Sequence, residues 1–350
     1  MNLFDTMTSM DHEQVVFCSD PATGLRSIIA VHDTTLGPGL GGVRMWDYPD
    51  ERAALTDVLR LSRGMTYKAA VAGVNFGGGK SVIIGDPAKK KTEALLRAHG
   101  RFVQSLGGRY IPGVDVGTSQ DDMRVLAAEA KRVFVGDHDP SPLTALGVLE
   151  SIRAGVADVY GTGDLHGRHV AVQGVGHVGE PLVRSLAAEG ARLTIADVDR
   201  ARAVRLAGEV GAEVAEPDAV LGVPCDVLAP CALGAVLDDA TIPALRCRVV
   251  AGGANNVLAE ERHAAALDEA GVLYVPDYVA NAGGLILLVG DALGYDIEQT
   301  RAKVRAVGAT VTRIIEDARA AGVTTARAAD LLAERRIAAL RDVGPRHLPR

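Results

Sequence analysis

The sequence predicts an α/β protein of two domains: an N-terminal mixed-sheet domain, and a Rossmann-type parallel-sheet domain followed by a C-terminal helical return to the first. Three observations support this fold class. The 350 residues exceed what one hydrophobic core usually fills. Beyond residue 140 strand-like and helix-like segments alternate, which is typical of a parallel sheet covered on both faces. Before residue 140 the strand patterns are irregular and interrupted by glycines. We therefore place one domain at 1–139 with 325–350, and the other at 140–324.

Composition excludes several classes of protein. With 48% apolar and 23% charged residues the chain is typical of globular proteins. A net charge of −7 without a basic stripe argues against a nucleic acid partner. The longest apolar run, at 285–289, is too short to cross a membrane, and the N-terminus does not resemble a secretory signal. The four cysteines show no metal-binding spacing, so we expect reduced thiols, no metal site and a cytoplasmic location.

The N-terminal half is predicted to form short strands around one long amphipathic helix. Leu55, Val58 and Leu59 have the i, i+3, i+4 spacing of a helix face. Prolines in the segment 136–142 predict a linker. The elements in order are strands at 15–18 and 27–31, a glycine-rich loop ending at Gly42, a helix from Glu51 to about Gly73, the tripeptide Gly77–Gly79, a strand at 81–84, a helix at 92–106, a strand at 110–111 and a loop at 112–115.

The second half shows the regular alternation. Strands are predicted at 169–173, 193–196, 227–229, 249–251 and 273–275, and helices at 296–321 and 326–340. Because small ligands usually bind in clefts between domains, we expect the ligand site between the two lobes.

A dinucleotide-binding pattern lies at the start of the second domain. The strand at 169–173 is followed by GxGxxG and then by a helical pattern, the context that this motif requires. Its glycines allow a tight turn, a close approach of the backbone to a pyrophosphate, and close packing of helix on strand. Asp197 ends the next strand, where a carboxylate would bind the ribose hydroxyls of NAD. The loop residues are Gly174, Val175, Gly176, His177, Val178 and Gly179, of which His177 is expected to face solvent.

Two lysines and one aspartate are the candidates for chemistry. Only seven of the 37 basic residues are lysines, and Lys68 and Lys80 lie in apolar or glycine-rich surroundings without an obvious carboxylate partner in the sequence. Taken singly, each could be a solvated strand end or a helical lysine that reaches the surface. Together in a partly desolvated site, one could serve as a base and the other as an anion anchor. Asp115, in a loop after a strand, is the third candidate, although such residues are also common in turns.

At these residues the sequence resembles the Glu/Leu/Phe/Val dehydrogenase family. The similarity extends from about residue 14 to residue 340, and its motifs in order are LGPGLGGVRMW, LRLSRGMTYKAA, GGGKSVIIGDP, GRFVQSLGGRYI with DVGT, AVQGVGHVG, CDVLAPCALG, AGGANN and PDYVANAGG. The resemblance implies NAD-dependent, reversible oxidative deamination of an apolar L-amino acid to a 2-oxo acid and ammonium. It also implies a homo-oligomer, a dimer or an octamer, in which 1–139 with 325–350 is the catalytic and oligomerisation domain and 140–324 binds NAD.

The resemblance also implies roles for individual residues. Lys80 matches the catalytic lysine, Asp115 the aspartate that handles protons beside the amino group, and Lys68 the lysine that binds the substrate carboxylate with help from the Gly42 backbone. Residues matched to the cofactor site are Thr144, Ala229, Pro230, Cys231 and Asn255. Residues matched to the side-chain pocket are Leu40, Met65, Gly113, Leu285 and Leu288. Within the pocket, Gly113 and Leu288 resemble the phenylalanine enzymes, whereas Leu40 and Met65 resemble the leucine enzymes.

Two alternatives are kept. A hydroxy-acid dehydrogenase would require a histidine acid–base with a carboxylate partner, and none of the nine histidines has such a setting in the sequence. A catalytically silent NAD-binding sensor of the same fold would be expected to lack a lysine or Asp115, and all three residues are present.

Overall fold

The chain forms two compact units. The computed structural model describes residues 3–136, 138–232 and 234–341. One unit extends to His138 and resumes at Ala333, and the other comprises Asp139–Leu332. The change of unit falls within the predicted linker 136–142, of which Asp137 lies outside the described residues.

The first unit is built on a five-stranded mixed sheet in the order β1-β2-β4-β3-β5. Strands β1, β2 and β4 are antiparallel neighbours, whereas β3 runs parallel to both β4 and β5. The strands are β1 Gln14–Asp20, β2 Leu25–Asp33, β3 Gly39–Trp46, β4 Gly77–Ile84 and β5 Tyr110–Val114. The helices are α1 Leu3–Ser9, α2 Glu51–Val71, α3 Pro87–Lys90, α4 Glu93–Ser105 and α5 Gln120–Ala127.

Helices cover both faces of this sheet. The predicted apolar stripe of α2 packs with Ile28 and Val82 on one face, and Leu96 and Met123, from α4 and α5, pack with Ile83 on the other. Because side chains alternate along a strand, every second residue of β3 and β4 faces α2. Lys80 has the parity of Val82, and therefore lies on the α2 face.

Two glycine-rich segments that we predicted as irregular are central strands. Gly39–Gly42 belongs to β3 and Gly77–Gly79 to β4. A Cβ atom on Gly78 would lie 2.1 Å from Thr66 Oγ1 of α2, and one on Gly41 would lie 1.8 Å from Gly79 O. Glycine is thus required by the close approach of backbones, although it usually weakens a strand. The predicted loop 112–115 is corrected in the same way, since β5 extends through Val114.

The second unit contains a six-stranded sheet in the order β11-β10-β9-β6-β7-β8, and every neighbouring pair is parallel. Numbered within the unit this order is 6-5-4-1-2-3, which is the Rossmann arrangement and confirms the predicted fold class. The strands are β6 His169–Gln173, β7 Arg192–Ala196, β8 Glu213–Val214, β9 Val227–Pro230, β10 Val249–Val250 and β11 Leu273–Tyr274.

Helices flank this sheet and form the C-terminal segment. They are α6 Ser141–Tyr160, α7 Gly179–Ala188, α8 Arg200–Val210, α9 His263–Glu269, α10 Asp277–Ala280, α11 Gly283–Leu293, α12 Ile297–Arg305, α13 Val307–Ala321 and α14 Thr325–Arg341. The single helix predicted at 296–321 is interrupted at Ala306, where ψ changes to −10°. Helix α14 belongs to both units, because the boundary between Leu332 and Ala333 falls within it.

Candidate active site

Lys80 and Asp115 form a buried ion pair at the centre of the mixed sheet. Lys80 Nζ lies 2.8 Å from Asp115 Oδ2, and the two side chains are 8% and 17% exposed. Lys80 is on β4 and Asp115 directly follows β5, so β3 lies between them. The sequence around Lys80 shows no obvious carboxylate partner, because the partner is 35 positions away and is brought near by the strand order.

Gly42 makes this contact across β3 possible. A Cβ atom at Gly42 would lie 2.6 Å from Asp115 Cβ, 2.7 Å from Val114 O and 3.2 Å from Lys80 Nζ. The first two distances are shorter than van der Waals contact allows, so only glycine fits this position without a shift of the backbone. The glycine-rich segment ending at Gly42 is thus part of strand β3. The missing side chain of Gly42 leaves the space in which Lys80 contacts Asp115.

A second cation, which we did not predict, contacts the same carboxylate. Arg44 Nε donates to Asp115 Oδ2 at 3.1 Å, and Arg44 Nη1 donates to Asp57 Oδ2 at 3.0 Å. Tyr48 OH also donates to Asp57 Oδ2, at 2.6 Å. Arg44 follows Gly42 by two positions and therefore lies on the same sheet face. The signal available in the sequence was this spacing within GGVR.

These contacts determine the protonation state of Asp115. Burial raises the pKa of the Asp115 carboxyl, but the positive charges of Lys80 and Arg44 outweigh burial and hold this pKa below its usual range. Asp115 is therefore a carboxylate at neutral pH, although it is largely enclosed. Burial likewise raises the pKa of Tyr48, and Asp57 raises it further, so the phenol remains a hydrogen-bond donor.

The residues after β5 hold Asp115 in place. Asp115 N–H donates to Thr118 Oγ1 at 3.0 Å, and Thr118 Oγ1 donates to Val43 O of β3 at 2.8 Å. Met45 N–H of β3 donates to Val116 O at 2.9 Å. The threonine of DVGT thus connects the aspartate to the neighbouring strand.

The remaining predicted residues of this unit surround the sheet and α2. Lys68 is half-buried in the last turn of α2. Leu40 on β3 is 2% exposed, and Met65 on α2 lies 3.3 Å from the position of a Gly41 Cβ. Gly113 is buried on β5, in register with Gly42. Leu285 and Leu288, predicted for the same pocket, are on α11 of the second unit, buried and half-buried respectively.

The second unit places the GxGxxG segment at the carboxyl end of its first strand. Gly174 has φ +89°, Gly176 has open space where a Cβ would lie, and a Cβ on Gly179 would lie 1.9 Å from Gly174 O. These are the three functions expected of the glycines: the turn, the open backbone and the close packing. His177 is exposed and precedes α7, as predicted, while Val175 is fully buried.

Asp197 is bound to the same loop. Asp197 Oδ2 accepts from Val175 N–H at 2.8 Å, and Arg202 Nη1 lies 4.0 Å from that oxygen. A cavity of about 430 Å³ opens here. Its lining residues are Asp139, Val175, Gly176, His177, Glu180, Pro181, Arg184 and Arg202.

The other predicted cofactor residues lie at the end of β9, in the first turn of α6 and after β10. Ala229 and Pro230 close β9, the neighbour of β6, and Cys231 follows them. Thr144 is half-buried in the first turn of α6. Asn255 is exposed, and its Oδ1 accepts from the buried Asn281 Nδ2 at 2.7 Å, a contact that we did not predict.

The described part of the chain shows neither a metal-binding cluster nor a membrane-spanning helix. Within 3–136, 138–232 and 234–341, no group of three His, Cys, Asp or Glu side chains has a metal-binding arrangement. In the same ranges, no helix is long and apolar enough to cross a membrane.

The mixed-sheet unit with its buried lysine–aspartate pair, and the Rossmann unit with its glycine-rich loop, define a two-domain α/β dehydrogenase. The model of the Glu/Leu/Phe/Val dehydrogenase dimerisation domain matches residues 12–132, and that of the Glutamate/Leucine/Phenylalanine/Valine dehydrogenase domain matches 196–289. The chain belongs to this family and is an amino acid dehydrogenase.

Individual relatives are similar in sequence to this protein over almost its whole length. It is 48% identical to leucine dehydrogenase of Bacillus cereus over 98% of this chain and 95% of the relative. It is 45% identical to phenylalanine dehydrogenase of Thermoactinomyces intermedius, over 98% and 96% respectively. The crystal structure of L-tryptophan dehydrogenase from Nostoc punctiforme superposes with a TM-score of 0.88 at 46% identity, covering 97% of this chain and 99% of that one.

Proposed function

We propose that the protein catalyses NAD-dependent, reversible oxidative deamination of apolar L-amino acids of the leucine, phenylalanine and valine class, to a 2-oxo acid and ammonium. The observation that carries the proposal is the Lys80–Asp115 ion pair, buried beside Gly42. Such a pair provides one group that can bind an amine and one that can exchange a proton, which are the two requirements of amine oxidation followed by hydrolysis.

NAD is supported by the fit of the second unit to a dinucleotide. The open space at Gly176 would admit a pyrophosphate, and the N–H groups at the start of α7 would bind it. Asp197 would accept hydrogen bonds from a free ribose 2′-hydroxyl and repel a 2′-phosphate. Ala229, Pro230, Cys231, Thr144 and Asn255 complete the proposed cofactor set. When bound, NAD supplies the acceptor for the hydride that leaves the substrate Cα.

Each side chain of the first unit has one proposed task. The Lys68 ammonium binds the substrate carboxylate, together with the backbone N–H of Gly42. Asp115, ionised in the free enzyme, binds the substrate amino group and fixes the direction of the Cα–H bond. Lys80 is the proposed general base: it removes a proton from a water molecule, which adds to the iminium carbon of the oxidised substrate. Proton transfer to nitrogen then releases ammonia as the 2-oxo acid forms.

The residues proposed for the side-chain pocket define the substrate class. Leu40, Met65, Gly113, Leu285 and Leu288 carry no charge, so glutamate would place an unpaired carboxylate among apolar groups and is expected to be rejected. One methylene changes discrimination by only about 1–3 kcal/mol, and overlapping activity on several apolar amino acids follows. We also propose that the protein works in the cytoplasm as a homo-oligomer, a dimer or an octamer. The matched dimerisation-domain model supports self-association.

Initial rates of NADH formation with the twenty L-amino acids test the proposal. We expect activity on apolar substrates, a lower kcat/KM with NADP than with NAD, and a kcat reduced about 100-fold or more in Lys80→Ala because a general base is lost. Lys89→Ala is the matched control, since Lys89 is 78% exposed and pairs only with nearby Asp86 in the described contacts. NADH binding, followed by fluorescence, is expected to be unchanged in both variants.

Three outcomes would contradict this function. NADH binding without turnover of any amino acid would indicate a silent sensor, and oxidation of 2-hydroxy acids would indicate a different dehydrogenase. Equal kcat/KM for NAD and NADP would refute the role of Asp197.

A further inference from the structure

Arg44 shares the proposed amine-binding carboxylate with Lys80. Oδ2 of Asp115 is 2.8 Å from Lys80 Nζ and 3.1 Å from Arg44 Nε, so two cations on neighbouring strands meet at one oxygen atom. The Arg44 side chain is 23% exposed, and a guanidinium in such surroundings is charged at any pH at which a protein is folded. This arrangement is independent of any bound substrate.

The orientation of Arg44 is itself fixed from α2. Its Nη1 donates to Asp57 Oδ2 at 3.0 Å, and the Asp57 side chain is 16% exposed. Tyr48 OH donates to the same Asp57 oxygen at 2.6 Å, and Arg60 Nη2 lies 3.8 Å from Asp57 Oδ1. The planar guanidinium thus spans two carboxylates, one at the active site and one on the covering helix, which a lysine at this position could not do in the same geometry.

We propose that Arg44 is a positioning residue of the reaction: it holds the Asp115 carboxylate ionised and correctly oriented for the substrate amino group, and Asp57 holds Arg44 in turn. The inference rests on the proposed function, because Asp115 has its role only there. Arg44 is needed because a carboxylate bound by Lys80 alone would have to move whenever that lysine exchanged a proton. With Arg44 present, Asp115 keeps one fixed charged partner throughout the cycle.

The charged groups around Asp115 determine the pH at which its carboxylate takes up a proton. Lys80 contacts it from β4 and Arg44 from β3, Tyr110 and Tyr48 interact with it electrostatically, and Asp57 acts on it through Arg44. Removal of Arg44 takes away one of the two cations that lower the pKa of Asp115. The carboxylate would then take up a proton at a higher pH, and the acid limb of the kcat/KM profile would move towards neutral pH.

The test compares four variants in the full-length enzyme. In Arg44→Met we expect kcat for the amino acid to fall about 100-fold, the loss typical of a catalytic group displaced by about 1 Å. We also expect the shift of the acid limb and unchanged NADH binding. Arg44→Lys keeps the charge, so it should restore the acid limb but only part of kcat. Arg26→Met is the control, since Arg26 is 54% exposed and pairs with Glu51 at the surface of the same sheet.

The fourth variant, R44M/D57N, separates the proposal from a structural effect, because Arg44→Met alone leaves Asp57 without its main cation. The proposal requires that the double variant stay as slow as R44M. Recovery of activity in the double variant would show that the unpaired Asp57 caused the loss, and would overturn the proposal. A kcat within threefold of wild type in R44M, or an acid limb that stays in place, would overturn it as well. Failure of the proposed function would instead appear in the wild-type enzyme, as absent turnover of amino acids.

Discussion

Gly42 and Gly113 are register partners on neighbouring strands, yet a methyl group at each would meet different surroundings. At Gly113 it would lie 3.6 Å from Phe134 Cβ, an ordinary contact, whereas at Gly42 it would lie 2.6 Å from Asp115 Cβ. We therefore expect Gly113→Ala to fold normally and to lower kcat/KM for phenylalanine more than for valine. Gly42→Ala should reduce activity on both substrates, because it separates Lys80 from Asp115.

Steady-state kinetics with the two substrates, with thermal unfolding of each variant, check this prediction. An equal effect of Gly113→Ala on phenylalanine and valine would show that Gly113 does not line the side-chain pocket. Wild-type rates in Gly42→Ala would show that the Lys80–Asp115 contact is not needed.

At the scale of residues, the sequence predicted the participants better than their contacts. Lys80 was a candidate because lysine is rare in this chain and its surroundings are apolar and glycine-rich, and Asp115 because it lies in a loop after a strand; the structure brings these two together. Arg44 was missed, because the chain contains many arginines and its spacing of two from Gly42 becomes meaningful only once this segment is known to be a strand. Arg44 contacts Asp115 only because β3 lies between β4 and β5 in the sheet. No short segment of the sequence specifies this strand order.

Among the elements, the C-terminal helix α14 donates hydrogen bonds to the C-terminal end of α2 and the residues that follow it. Arg336 of α14 donates through Nη1 to the carbonyl oxygens of Ala70 at 2.8 Å and Val74 at 3.0 Å, and through Nη2 to Asn75 Oδ1 at 2.9 Å. Carbonyl groups at a helix C-terminus have no partner within the helix, and a cation there also complements the helix dipole. Because Lys68 lies in this last turn, we expect the hydrogen bonds of Arg336 to help position this proposed carboxylate-binding residue.

Replacement of Arg336 is therefore expected to affect both stability and substrate binding. Arg336→Ala should reduce the free energy of unfolding by about 1–3 kcal/mol, the usual cost of unsatisfied buried acceptors. It should also raise KM for the amino acid more than it lowers kcat. Denaturant unfolding and steady-state kinetics measure the two effects, with Arg335→Ala, an exposed neighbour on the same helix, as control. An unchanged KM with reduced stability would limit Arg336 to a structural role.

The elements show where local sequence rules fail. Helix α2 was predicted from Glu51 because its apolar spacing is a local signal. The structure adds an N-cap that we did not predict, in which the Asp50 side chain accepts from Ala53 N–H. The glycine run of β3 was predicted as a loop, and that of β4 was left outside the strand predicted at 81–84, since glycine ordinarily disfavours strands. These glycines lie in strands because a helix and neighbouring strands approach them more closely than any side chain would allow. The segments that approach them are distant in sequence, so a local pattern does not reveal the contact.

For the whole molecule, the first unit buries more histidines than the second, in which His263 is the one buried imidazole among the described residues. Three buried imidazoles lie in the first unit, with exposures of 9% at His12, 5% at His32 and 0% at His99. Burial lowers the pKa of each to about 4. His32 and His12 also face each other, with ring centroids 4.9 Å apart, so protonation of one disfavours protonation of the other. His99 is held neutral between Ser27 Oγ at 3.1 Å and Ser81 Oγ at 3.0 Å.

Acid should therefore weaken the first unit before the second. In the unfolded chain these histidines bind protons near pH 6.5, whereas in the folded unit they do so only near pH 4. The histidine contribution to the free energy of unfolding is complete above pH 6.5 and decreases as the pH falls towards 4, by at most about 1.4 kcal/mol per pH unit for each histidine. Hydrogen exchange between pH 7 and pH 4 can follow the units separately. We expect amides of β1–β5 to lose protection at a higher pH than those of β6–β11. His99→Gln should make the decline of protection in the first unit less steep. His177→Gln, at an exposed position, is the control and should leave that decline unchanged. Protection of β1–β5 that stays constant over this range would show that the three imidazoles do not control the acid stability of the unit.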